Sequence, residues 1–184
     1  YNDHIIRVTA TDKQEFSTAA SLVVNMQPGK TEWQVQETTG EVELVTAALR
    51  ARVRLSSGAI TFFDKAGHLL LQERDLNGRS IEPVMEEGKS LNSLKQVFES
   101  GADEAYYGLG QHQDDNWNYK GKKVIFFQNN TEVAVPYLVS IKNYGILWDN
   151  YSYGEAGDIR PMRQLSALQL YDKKIIKIPC SCFI

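Results

Sequence analysis

The densest run of chemically capable side chains is Tyr106-Tyr107-Gly108-Leu109-Gly110-Gln111-His112-Gln113-Asp114-Asp115-Asn116-Trp117-Asn118-Tyr119-Lys120-Gly121. Aromatic rings and amides are interleaved with two carboxylates and a histidine. Sugar sites use this mixture, because the CH faces of a pyranose pack on rings while its hydroxyls need amides and carboxylates. A long polar connection between strands is also a common seat of function. The same residues fit an exposed loop whose aromatics fasten it to the body of the domain. Gly108-Leu109-Gly110 is no dinucleotide fingerprint, since it lacks a third glycine and sits among strands rather than opening a helix. His112 has no serine or cysteine partner in a recognisable arrangement, so a nucleophilic triad is not indicated. On an extended segment Asp114 and Asp115 point to opposite sides, which is wrong for two acids flanking one glycosidic bond. They read as solvated loop charges.

A second such stretch is Trp148-Asp149-Asn150-Tyr151-Ser152-Tyr153. Asp149 and Asn150, at the end of an apolar strand, either hydrogen-bond a ligand or cap the next turn. Asn129-Asn130-Thr131 and Asn150-Tyr151-Ser152 match the glycosylation acceptor pattern, which short triplets meet often by chance. The two cysteines, Cys180 and Cys182, stand one residue apart at the end of the chain. That spacing makes a poor disulfide, and two thiolates alone do not make a zinc site. No metal site and no cofactor are expected.

The elements that position these residues are strands. In Leu49-Arg50-Ala51-Arg52-Val53-Arg54-Leu55 the apolar residues share one face and the arginines the other. Acidic residues are as plentiful as basic ones, so the arginine face reads as a solvated sheet face rather than a polyanion site. Ser56-Ser57-Gly58 is a turn, Ala59–Phe63 a strand, Asp64-Lys65-Ala66-Gly67 a hairpin loop and His68–Glu73 the return, together a β-meander. Earlier strands are predicted at Ile5–Thr9, Ser21–Met26, Glu32–Glu37 and Glu41–Thr46, with breaks at Pro28-Gly29 and Thr39-Gly40. Later ones are predicted at Lys122–Gln128 and Val133–Ile141, where Pro136 must sit at an edge, a bulge or a strand start. Asn143-Tyr144-Gly145 is read as a tight turn into Ile146–Asp149. Ser90–Ser100 fits either a short helix or a strand. The pattern predicts an all-β fold, a sandwich rather than a barrel.

Composition sets outer bounds. The chain has 184 residues, 42% hydrophobic and 23% charged, which suits one domain with a real core. A net charge of −3 gives no electrostatic reason to expect nucleic acid as a partner. No apolar run approaches the ~20 residues that span a bilayer. A first residue of Tyr1 rather than Met is compatible with a processed beginning, and no signal-peptide pattern is present. The cysteine-free body suits a periplasmic or secreted protein. Residues 1–172 are expected to form the domain and 173–184 an atypical or truncated tail.

Several of these stretches, taken in order, resemble the domain that precedes the catalytic barrel in glycoside hydrolase family 31, the α-glucosidases and α-xylosidases. They are Tyr107-Gly108-Leu109-Gly110-Gln111-His112-Gln113, Asn129-Asn130-Thr131, Ala134-Val135-Pro136-Tyr137, and Tyr144-Gly145-Ile146-Leu147-Trp148-Asp149-Asn150-Tyr151-Ser152. Upstream, Ile6–Ala10 and Phe16–Thr18 with Ser21–Val24 look like that domain's opening, so the likeness runs from about Ile5 to Asp172. Lys173–Ile184 does not follow the pattern.

The resemblance implies a galactose-mutarotase-like β-sandwich packed on a downstream (β/α)8 barrel that acts on carbohydrate. In such enzymes the nucleophile and acid/base are barrel aspartates, and a barrel alone needs about 250 residues. Hence no catalytic residue is expected here. By position, Gln111, His112, Asp149 and Asn150 are the candidates for the pocket rim, and glutamine at 111 leans toward the α-xylosidase-like relatives. The alternatives are a stand-alone carbohydrate-binding module and a mutarotase-type enzyme. The latter needs a histidine acid and a carboxylate base facing one sugar. An isolated domain of this kind should also expose an apolar patch and self-associate.

Overall fold

The computed structural model describes residues 1–128 and 130–157, together with the backbone of 181–183. Fourteen strands lie in the long described part: β1 (Arg7–Thr9), β2 (Gln34–Glu37), β3 (Glu41–Val45), β4 (Leu49–Arg54), β5 (Ile60–Asp64), β6 (Leu69–Glu73), β7 (Arg79–Glu86), β8 (Lys89–Gln96), β9 (Phe98–Glu99), β10 (Tyr106–Gln111), β11 (Lys123–Phe126), β12 (Val133–Ser140), β13 (Tyr144–Asp149) and β14 (Gly154–Gly157). The last is β15 (Ser181–Phe183). No described residue is helical, so no helix there could cross a membrane.

Two antiparallel sheets carry the architecture, one ordered β2-β3-β4-β5-β6-β9 and the other β1-β15-β13-β12-β10. Ala51, Ile60, Phe62 and Leu71 of the first sheet meet Tyr144 and Ile146 of the second, with Ile6 beside them, in one buried cluster. A single core between two sheets is what makes this a sandwich. β7 and β8 form a separate ribbon, turned by Glu87 and Gly88 at positive φ (47° and 77°), the pair of left-handed residues that a tight hairpin needs. β11 and β14 form a second ribbon.

Most of the expected elements are present. The meander runs as β3–β4–β5–β6 in antiparallel register, and Leu49, Ala51 and Val53 face the core. Leu55 does not, at 59% exposed, because β4 ends at Arg54 and the next residues turn. On the outer face Arg52 pairs with Glu43 at 3.1 Å and Glu41 at 3.6 Å, lies 5.0 Å over the Phe63 ring, and Arg54 pairs with Asp75. Two of the three arginines on this face, Arg52 and Arg54, are therefore charge-paired on the sheet surface. In the 64–67 loop Gly67 takes φ +89°, and Asp64 caps the return by accepting the His68 N–H at 2.8 Å.

Three expectations need correction or sharpening. Ser21–Met26 is not a strand: the Ser21 hydroxyl accepts the N–H groups of Val23 (3.2 Å) and Val24 (2.9 Å), a local turn that competes with any ladder. Ser90–Ser100 is extended rather than helical, because β8 pairs along its whole length with β7 and β9 pairs with β6. The turn before β13 falls at Ile141–Asn143, with Asn143 at φ +62°, and Tyr144 already belongs to the strand. Of the expected tail, the backbone of Ser181–Phe183 pairs with β1 and β13, while residues 173–180, Cys180 included, lie outside the described residues.

Phe62, at 1% exposed, is the most deeply buried large side chain of the described core. Phe62→Ala should cost about 3–5 kcal/mol, read as a lower urea midpoint at unchanged slope.

Candidate functional site

β10 and β12 approach each other unusually closely around Gly108-Leu109-Gly110. All three residues have positive φ (92°, 65° and 109°). Gly108 pairs with Leu138 and Gly110 with Ala134, so Val135, Pro136 and Tyr137 bulge out opposite Leu109. Pro136 thus sits in a bulge, one of the places where a missing N–H is harmless. A β-carbon at Gly108 would collide with the Tyr137 carbonyl, and one at Gly110 with the Val133 carbonyl. Only glycine satisfies both the dihedral and the contact. Leu109, between them, drops into a second small core with Tyr119 and Val124.

The chain leaving this bulge is fastened residue by residue. His112 donates from Nε2 to the Leu109 carbonyl at 2.9 Å, and its ring meets Tyr119 edge-on with centroids 6.2 Å apart. Because a carbonyl can only accept, Nε2 carries the proton and is not free to act as a base. The Gln113 amide bonds the Thr131 hydroxyl. Asn116 donates to the Asp114 carboxylate at 2.7 Å. Asn118 Oδ1 accepts the N–H groups of Tyr106 (3.1 Å) and Lys120 (3.0 Å), and the Tyr119 N–H bonds the Tyr106 carbonyl at 2.9 Å. Tyr119 is buried; burial, with the nearby Asp114 charge second, raises its phenol above the usual range. The loop-fastening role expected of the aromatics holds for Tyr119. Asp114 and Asp115 are exposed, as expected of solvated charges.

The four rim candidates occupy different settings. Gln111 is exposed and pairs through its backbone with Val133, and its amide has no partner among the described residues. Asp149, 6% exposed, ends β13 two residues beyond Leu147, the partner of Tyr137. Cross-strand pairs share a face, so Gln111 and Asp149 lie on the same outer face, at the same end of the sheet, on either side of β12. They are not bonded to each other. Asp149 Oδ1 accepts the hydroxyls of Ser21 (3.0 Å) and Tyr151 (2.7 Å), and Tyr151 accepts the Leu22 N–H, so the carboxylate fastens the 21–24 turn across the sheet end. Asn150 Oδ1 accepts the Ser152 N–H at 2.9 Å and so caps the following turn. His112 lies just beyond Gln111, held as described.

Sequence reasoning passed over Glu104, whose side-chain partners stand 36 to 40 residues away and show no spacing signal. Its carboxylate, 3% exposed, accepts Ser140 Oγ at 2.5 Å, Tyr144 OH at 2.6 Å, Lys142 Nζ at 3.0 Å and the Gly101 N–H at 3.3 Å. Burial pushes the carboxyl up, but the donors of Ser140, Tyr144, Lys142 and Gly101 outweigh it and hold it at about 2. The cluster ties the entry of β10 to the β12–β13 hairpin. The other buried carboxylate outside the rim, Glu73, pairs with Arg79 at 2.6 Å and accepts the Ile60 N–H at 3.0 Å; burial nonetheless leaves it above its ordinary value. Each buried acid thus has its own structural donors. Among the described residues no group of three or more metal-ligating side chains is gathered.

Two consequences are measurable. Gly110→Ala should cost ~3 kcal/mol or more, read by urea titration, since strain and a backbone clash add. Glu104 has a depressed native pKa, so its contribution is present above the ordinary value of 4.5 and is lost as pH falls toward 2. Glu104→Gln should flatten that acid limb and lower stability at pH 7 by about 3 kcal/mol.

Comparison with known proteins now bears on this geometry. A family model described as the glycosyl hydrolase 31 N-terminal galactose mutarotase-like domain matches residues 1–156. An α-xylosidase of Saccharolobus solfataricus is 32% identical over 166 residues, covering 83% of this chain and 22% of the relative. An uncharacterized family 31 glucosidase of Pseudescherichia vulneris is 27% identical over 174 residues, 82% of this chain and 32% of the relative. The crystal structure of a GH31 α-xylosidase from Xanthomonas citri superposes with a TM-score of 0.83 at 42% identity, covering 90% of this chain and 18% of that one. The chain therefore spans a minor part of the length of each relative. With its sandwich, its Gly-Leu-Gly bulge and this match over most of its length, the chain belongs to the glycosyl hydrolase 31 N-terminal galactose mutarotase-like domain family.

Proposed function

We propose that this chain is the non-catalytic scaffold of a retaining α-glycosidase acting on α-linked xylosides, and that it docks on a catalytic barrel supplied by the rest of the full-length polypeptide. The observation that carries this reading is the outer face of β12. Val133, Val135, Tyr137 and Val139, with Ile141 just beyond, are all exposed, and Tyr107 lies opposite Val139 on β10. The intervening residues Leu138 and Ser140 turn inward. An antiparallel strand with one solvated face ordinarily alternates apolar with polar. This one is apolar on both faces for most of its length, which is the composition of a surface that another body covers. Gly145 leaves room for the Tyr137 ring to lie across β13, so the stripe is flat as well as apolar.

The acids for two-carboxylate chemistry come, on this reading, from the barrel. Gln111 is the rim candidate with a free polar group on the docking face. His112, Asp149 and Asn150 shape the same end by fixing the backbone around it. A mutarotase role is disfavoured because the His112 Nε2 proton is committed to a carbonyl. The names of the relatives favour α-xylosides as the substrate class.

The chain alone should not turn over aryl α-xylosides, and restoring the downstream polypeptide should confer that activity; turnover by the isolated chain would defeat the proposal. The isolated chain should also self-associate in sedimentation runs. Val135→Glu with Val139→Glu should restore a monomer without lowering the melting temperature, and the same pair should impair activity of the full-length enzyme.

A further inference from the structure

Trp117 is the most exposed large apolar side chain of the described residues, at 86%. It is not exposed for want of order around it. On one side Asn116 is bonded to Asp114 through both backbone and side chain. On the other, Asn118 caps the N–H groups of Tyr106 and Lys120, and Tyr119 is buried against Leu109. The indole is therefore held out in water by a loop fastened immediately before and after it.

The neighbours of that ring decide what it is for. Asp114, Asp115, Asn116 and Asn118 surround it in sequence, and among the described residues the Asp115 side chain has no hydrogen-bond or ion-pair partner, as is true of the Gln111 side chain at the loop's start. A dry protein interface disfavours charged residues at its centre. A pyranose calls for the opposite: a flat ring for its CH face, with a carboxylate and an amide in reach of its hydroxyls. A fastened loop serves such a weak contact well, because its backbone has little freedom left to lose on binding.

We infer that Trp117 is a stacking platform for a pyranose ring of the saccharide, with Asp115 as the acceptor for one of its hydroxyls. This rests on the glycosidase reading for the ligand class, and it adds a contact outside the four rim candidates.

The test uses the full-length enzyme and its W117A, W117F and D115N variants, titrated calorimetrically with xyloglucan fragments and, in parallel, malto-oligosaccharides. W117A should weaken binding of the preferred saccharide about tenfold, W117F by less than about threefold, and D115N by an intermediate factor. Melting temperatures should not move. The Trp117 indole N–H resonance, assigned by its absence in W117A, should shift on adding sugar. Unchanged affinity in W117A, or a fall in melting temperature parallel to the loss of affinity, would overturn the inference, the second because it would mean that protein covers the ring. Wild-type turnover of an aryl α-xyloside judges the proposed function separately: without it that reading falls, while loss of sugar affinity in W117A would still uphold the platform.

Discussion

The close approach of β10 to β12 is the constraint from which the site end of this domain follows. Two glycines allow carbonyl oxygens of β12 to stand where β-carbons would otherwise be. Leu109 is thereby rotated into a local core, and its carbonyl is presented to His112. The bulge that results re-aims β12, places Pro136 where no donor is needed, and sets the start of the loop that carries Trp117. Bulges beside functional sites commonly serve to redirect a strand in this way.

Two layers of polar anchoring hold that arrangement. Glu104 ties the approach to β10 onto the β12–β13 hairpin from within the protein, and Asp149 ties the 21–24 turn to the sheet from its outer face. Both carboxylates are buried, and both are supplied with hydroxyl donors rather than left to a single ion pair. Such groups stay charged in the interior only when their lone pairs are filled. Glu104, held at about 2 by its donors, is thereby committed to structure rather than to proton transfer near neutral pH.

Much of this was legible from residue order, and the rest fails for identifiable reasons. The alternation in β4 and the turn glycines at 58 and 67 are local signals, and the meander they define is where it was expected. The strand expected at Ser21–Met26 does not form: Leu22-Val23-Val24 has the composition of a strand, but the deciding interaction is the Ser21 hydroxyl on the neighbouring backbone. Ser90–Ser100 is ambiguous by sequence because it fits a short helix while Leu94, Gln96 and Phe98 also fit a strand; the partner strand β7 decides for β8. Of the candidate residues, Gln111 and Asp149 were brought to one end of one face by pairing partners far away in the chain. Glu104 was invisible for the same reason. Periodicity reports which way a side chain faces, not which distant donor meets it.

The loop from His112 to Gly121 is pinned at both ends to residues outside it, at Leu109 of β10 and the Thr131 turn on one side and at Tyr106 of β10 on the other. Its tip can therefore exchange residues without disturbing strand register. The positions at the tip and the positions that set strand register are separate sets, so substitutions at the tip leave the frame of the domain unaltered.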